Sequence, residues 1–237
     1  MPQLIAMVIV VVGAMIYMFQ TFGGTGDKIE GIAQKTSVIT EINNIKTGLK
    51  LAAKSEQIAT TDSTGSVAGG DFVAATAANL KGLADLKYFA EQINDQISNN
   101  TASIAGDASY VAANAYNSIS FGGSSDTVGG MFISLVANRS GFVPGIYVDF
   151  NFTESTLKDS AGFFESQIAN DLKDIAYIDR NAITATAATG TRTTTEDDST
   201  IAARTPGITT ASTNSESDGK FIIYFKDFGA DETVVSN

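Results

Sequence analysis

The sequence predicts an α+β protein: a long N-terminal apolar helix continues as an amphipathic stem and carries a globular head of helices with a small antiparallel sheet. Three observations predict this class. Residues 4–22 (LIAMVIVVVGAMIYMFQTF) are almost all apolar. Residues 29–52 then repeat Ile, Leu and Ala at helical spacing. Strand signals, short runs of β-branched and aromatic residues between turn residues, begin only after residue 130. The expected divisions are 1–26 for the apolar helix, 27–58 for the stem and 59–237 for the head.

The first segment is long enough to matter. At ~1.5 Å per residue, about 20 helical residues span the ~30 Å apolar core of a bilayer. A helix that is apolar all round must be buried in lipid or in a large protein interior. No charged side chain precedes Asp27. A secretory signal peptide wants a positive start and a shorter apolar core, and no Lys or Arg occurs before Lys28. A single-pass anchor and an assembly helix both fit.

Beyond Gly23, Gly24 and Gly26, the positions Ile29, Ile32, Ile39, Ile42, Ile45, Leu49 and Ala52 draw one apolar stripe. Lys28, Lys35, Lys46 and Lys50 lie off it. The second half of this stripe is expected to pack on the head. The head opens with a Gly/Ser/Thr loop at 59–71, followed by a helical stretch with Leu80, Leu83, Leu86, Phe89, Ile93 and Ile97 on one side. An alanine-rich piece from Ile104 to Ile119 reads as a short helix.

Strands are expected at Met131–Ala137, at Gly145–Thr153 and at Lys220–Phe228. The second alternates Tyr147, Asp149 and Asn151 against Val148, Phe150 and Phe152, as a half-buried strand would. Between the second and third, a helix is expected over Thr156–Ile178, with Phe163, Phe164, Ile168, Leu172 and Ile175 inward. Residues 184–217 hold 12 Thr and few large apolar groups, which predicts a long polar loop.

Composition narrows the chemistry. The chain of 237 residues has no His and no Cys. It therefore forms no disulfide, no Cys/His metal site and no His-based proton relay. Its formal net charge is −11, from 15 basic and 26 acidic side chains, which argues against a nucleic-acid partner. The charge is uneven: over residues 27–54, Lys28, Lys35, Lys46, Lys50 and Lys54 outnumber Asp27, Glu30 and Glu41, and the acidic excess lies beyond them. Glu196-Asp197-Asp198 and Asp231-Glu232 read as solvated charge, since neither has the DxDxDG spacing of a calcium loop. Phosphate-binding glycine loops and an S-x-x-K nucleophile setting are both absent. Tyr110, Tyr116, Tyr147, Tyr177 and Tyr224 read as core or sugar-facing side chains. No catalysis and no cofactor are expected.

An apolar helix at the amino terminus, an amphipathic stem and an α+β head closing on a late strand together resemble the type IV pilins. Met1 and the long head are more similar to the type IVb branch. The resemblance implies a homopolymer whose apolar helices form the filament core and whose heads form its coat. Core packing would then fall to Met1, Leu4, Ile5, Ala6, Ile9, Gly13, Ala14 and Ile16. Small residues such as Ala6, Gly13 and Ala14 let helices approach closely where lipid offers no hydrophobic drive. Local unwinding is expected at Gly13 or at Gly23, Gly24 and Gly26.

The resemblance further implies insertion in the cytoplasmic membrane before assembly. A prepilin peptidase, an inner-membrane platform and a motor ATPase would be the partners, and the product an extracellular filament for adhesion or motility. Two departures stand out: Ile5 occupies the place where the family usually carries Glu, and the usual Cys pair is missing. Tip-type minor pseudopilins and archaeal pilins also lack that acid, so a minor subunit is an alternative, as is a solitary membrane-anchored surface protein. Sequons at Asn99, Asn138 and Asn151 mark candidate glycosylation acceptors. A basic stem over an acidic head also suggests charge pairing between stacked subunits.

Overall fold

The computed structural model of the chain describes residues 34–63, 76–99, 118–121, 130–152, 155–193, 199–211 and 215–236. Two compact units divide it, Met1–Glu41 and Ile42–Asn237. The boundary falls inside a continuous helix, α1, described over 34–54. Within the second unit, Ile42, Ile45, Leu49, Ala52 and Ala53 are buried, whereas Leu51 and Lys54 face solvent. Gly48 lets the helix meet Phe89: a Cβ there would sit 2.7 Å from the ring's Cε1 and 2.8 Å from the carbonyl oxygen of Tyr88.

The expected fold class needs correction at this point. Among the described residues no helix is long and apolar enough to cross a membrane. The helix at 34–54 is amphipathic: Ile42, Ile45, Leu49 and Ala52 of its stripe are buried within the second unit, while Leu51 and Lys54 are exposed. The segment 4–22 lies outside the described residues. What the described residues do form is an α+β arrangement on an antiparallel sheet.

Two short helices follow, α2 (Leu80–Asp85) and α3 (Glu91–Asn99). Asn79 caps α2 by accepting from the Gly82 N–H, and is itself held by both carboxylate oxygens of Asp62. Leu80, Leu83, Phe89, Ile93 and Ile97 are buried as their spacing predicts. Lys87, with φ +64°, interrupts the run, so the single helical stretch becomes two.

The five strands are β1 (Ser118–Phe121), β2 (Met131–Val136), β3 (Gly145–Asp149), β4 (Ala176–Asp179) and β5 (Lys220–Phe225). Their order in the sheet is β1-β2-β3-β5-β4, and every pairing is antiparallel. Helix α4 (Ala161–Leu172) lies between β3 and β4 in sequence, and the short helix α5 (Ser199–Ala203) between β4 and β5.

Four expectations differ from this arrangement. The helix expected over Thr156–Ile178 is only 12 residues long, and its last expected turn is β4 instead. Phe163 and Ile175, expected inward, are 60% and 47% exposed; Ile175 lies past the helix end, and Phe163 lies on its outer side. The short helix expected from Ile104 to Ile119 ends in a strand, because Ser118 and Ile119 pair with Ser134 and Ile133; residues 104–117 lie outside the described residues. The alternation expected in β3 is absent: all five residues are buried, since both faces of the sheet are covered.

Register shows what the two faces carry, because side chains alternate along each strand. Ile133, Val148 and Phe221 share one face with Leu135, Ile146, Ile223, Ile178, Phe225 and Ala176. This face is wholly apolar. Phe150 joins it to α4, with ring centroids 5.8 Å from Phe221 and 6.0 Å from Phe164. Lys46 of α1 sits 4.8 Å over the Phe225 ring.

The opposite face carries Ser134, Tyr147, Asp149, Tyr177, Asp179, Lys220 and Tyr224, with Phe132, Val136 and Ile222. It is covered by the excursion between β4 and β5, where a long polar loop is expected. Ala182, Ala187, Ile201, Ala202 and Thr205 of that excursion are buried, so it is a packed layer as well as a threonine-rich one.

Candidate functional site

The residues expected to build a filament core, Met1, Leu4, Ile5, Ala6, Ile9, Gly13, Ala14 and Ile16, lie outside the described residues, as do Gly23, Gly24 and Gly26. Of the candidate glycosylation acceptors, Asn99 is the last residue of α3. Asn138 is exposed, but its side-chain oxygen accepts from the Ala187 N–H at 2.9 Å. Asn151 is exposed just beyond β3, with its backbone N–H bonded to Asp149.

Two polar constellations organise the described head. The first ties α1 to the segment after β5. Asp227 lies 2.9 Å from Lys46 and 3.4 Å from Lys50, and Lys50 is 3.8 Å from Glu232. Burial pushes the Asp227 carboxyl up, but the two lysines outweigh it and hold it below the usual carboxylate range. Glu232 also accepts from the Gly229 N–H at 2.7 Å and is almost fully buried. It is therefore a structural acceptor, not the solvated charge its sequence suggests, while Glu196, Asp197 and Asp198 lie outside the described residues. Lys46 and Lys50 are thus paired within the chain.

The second constellation is the polar sheet face beneath the β4–β5 excursion. Asp179 is fully buried, and both its oxygens are engaged. Oδ1 accepts from Asn181 N at 3.2 Å; Oδ2 accepts from Thr209 N at 2.9 Å and Thr209 Oγ1 at 2.7 Å. Tyr147 donates to the Ile183 carbonyl at 3.1 Å. Arg139, stacked 3.6 Å over the Phe142 ring, donates to the carbonyls of Ala188 and Gly190. These bonds fasten the excursion at both ends.

Its middle is different. Tyr177 and Tyr224 face each other directly across β4 and β5. Tyr224 is fully buried and fits because Gly145 has no side chain; a Cβ there would lie 2.6 Å from the Tyr224 ring. Arg192 comes down from the excursion, its guanidinium carbon 5.0 Å from the Tyr177 ring centre. Both tyrosine hydroxyls, and Nε and Nη2 of Arg192, are buried without a hydrogen-bond partner.

Burial drives the Tyr224 hydroxyl well above its ordinary value, reinforced by Asp179 and opposed by Arg192 and Arg139. Burial also lowers the Arg192 guanidinium, against the pull of Asp179, Tyr224 and Tyr177. Tyr177 and Tyr224 read in the sequence as core or sugar-facing, and both are buried; Arg192 carries no sequence signal, because an arginine in a threonine-rich stretch has no periodicity. Among the described residues, no group of three or more acidic side chains could hold a metal ion. Searches of protein-family models, curated proteins and solved structures find no match to the chain.

Proposed function

We propose that this chain is the structural subunit of an extracellular type IV pilus-like filament, serving adhesion, motility or surface attachment. The observation that carries the reading is the uncharged apolar segment at 4–22, placed ahead of a large acidic head. Copies would pack these segments together, with Ala6, Gly13 and Ala14 as points of close approach. The head supplies the coat, and its role is structural and adhesive instead of catalytic. Before assembly the subunit sits in the cytoplasmic membrane, and a prepilin peptidase, a membrane platform and a motor ATPase act on it. Ile5, in place of the usual acid, favours a second reading: a minor pilin or pseudopilin that primes such a machine.

Electron microscopy of material sheared from producing cells, with mass spectrometry of the fibres, tests this. Fibres composed mainly of this chain are the expected result. Fibres that contain it only in traces would favour the minor subunit. A chain retained in the membrane with no fibres would leave a solitary anchored surface protein. Gly13→Leu should abolish fibres and leave the membrane fraction unchanged.

A further inference from the structure

We propose that Arg192, Tyr177 and Tyr224 form an internal site for a small oxyanion, a carboxylate or an inorganic phosphate, taken up beneath the β4–β5 excursion. Two hydroxyls and two guanidinium nitrogens are buried here with no partner. Burying a polar group without a partner is unfavourable, so four in one layer call for something that supplies acceptors.

The sheet cannot supply them. Asp179, the carboxylate that acts electrostatically on both Arg192 and Tyr224, already accepts from Asn181 and twice from Thr209. Asp149, the other carboxylate of this face, lies 3.7 Å from Lys220 and accepts from the Asn151 N–H.

The geometry of the donors selects the ligand. Nε and Nη2 are the two nitrogens on one edge of a guanidinium, and this edge offers the parallel N–H pair that grips a carboxylate or phosphate in bidentate fashion. The remaining face of Arg192 is occupied by the Tyr177 ring. Tyrosine hydroxyls add single donors from the sheet side. Access runs through the excursion: Thr191 and Thr193 on either side of Arg192 are exposed, so a ligand reaches the guanidinium by displacing this segment and not the sheet.

The test is thermal unfolding of the full chain in acetate, in phosphate and in chloride at matched ionic strength, for the wild type, Arg192→Gln, Tyr177→Phe and Tyr224→Phe. A bound ligand raises the midpoint with the logarithm of its concentration. The expected result is such a rise for the wild type in acetate or phosphate but not in chloride, with apparent affinity weakened about tenfold or more in Arg192→Gln. The two Phe variants, which remove only unpaired hydroxyls, should fold as well as the wild type in chloride yet respond less to the ligand. Which of acetate and phosphate acts identifies the class. An equal response in all four proteins, or none in any, would overturn the proposal and leave the donors to internal water or to each other.

Discussion

The two faces of the sheet are closed by different means. On one, Ile133, Val148, Phe221, Ile223 and Phe225 are buried, and Phe221 reaches the helix Ala161–Leu172 through Phe150 and Phe164, in packing governed mainly by shape and apolar area. On the other, tyrosines, aspartates and a serine meet an irregular segment whose attachment depends on named hydrogen bonds. The first kind of layer tolerates imprecise partners. The second must satisfy every buried polar group, and around Arg192 it does not. Stability therefore resides mainly on the apolar side, and the freedom to bind something resides on the polar side.

The largest effect should come from breaking the apolar side. Phe221→Ala removes a fully buried ring and should cost about 3–5 kcal/mol, read by chemical denaturation. A loss below ~1 kcal/mol would mean that the apolar face is not where the head is held together. Next, Asp179→Asn removes a charge that serves three donors. It should cost about 1–3 kcal/mol, with faster hydrogen exchange concentrated in residues 199–211. Exchange rising equally across the whole sheet would show that the excursion is not a separately fastened layer.

A smaller effect is expected where α1 meets the segment after β5. The folded state holds the Asp227 carboxyl below its unfolded value, so its contribution is present above about pH 4 and fades as the pH falls further. Because the side chain is 49% exposed, screening limits this to about 0.2–1 kcal/mol. Asp227→Asn should thus be less stable than the wild type at pH 7, and the gap should narrow below pH 4. The smallest effect belongs to Tyr224→Phe: in chloride buffer, within about 0.5 kcal/mol of the wild type or slightly stabilised. A large loss would reveal a partner for that hydroxyl.

The same contrast explains what was legible in the sequence. Strands at Met131–Val136 and Lys220–Phe225 and the buried positions of α2 and α3 follow from apolar runs and spacing alone. These segments face the simple, shape-driven core. The end of α4 was misplaced because Ile175 and Ile178 continue a helical spacing, while the four-residue β4 is defined by pairing with β5, a strand more than 40 residues later. The burial of both sides of β3 was not legible either, since Tyr147 and Asp149 look solvent-facing until Ile183 and Lys220 are brought to them. The polar layer was invisible for the same reason: Arg192, Asp179 and Tyr224 are far apart in sequence and share no local motif.

The strand order carries a consequence for how the chain is made. β5 follows the other described strands in sequence, yet it lies in the interior of the sheet, between β3 and β4. Until residues 220–225 have left the ribosome, β4 has no neighbour and β3 has an open edge. The head behaves like an arch whose keystone arrives last. The half-built sheet waits with an adhesive border, a state suited to chaperones and vulnerable to clumping. A translational pause that holds back residues 220–225 once β4 has emerged would therefore prolong the most exposed moment in the protein's life.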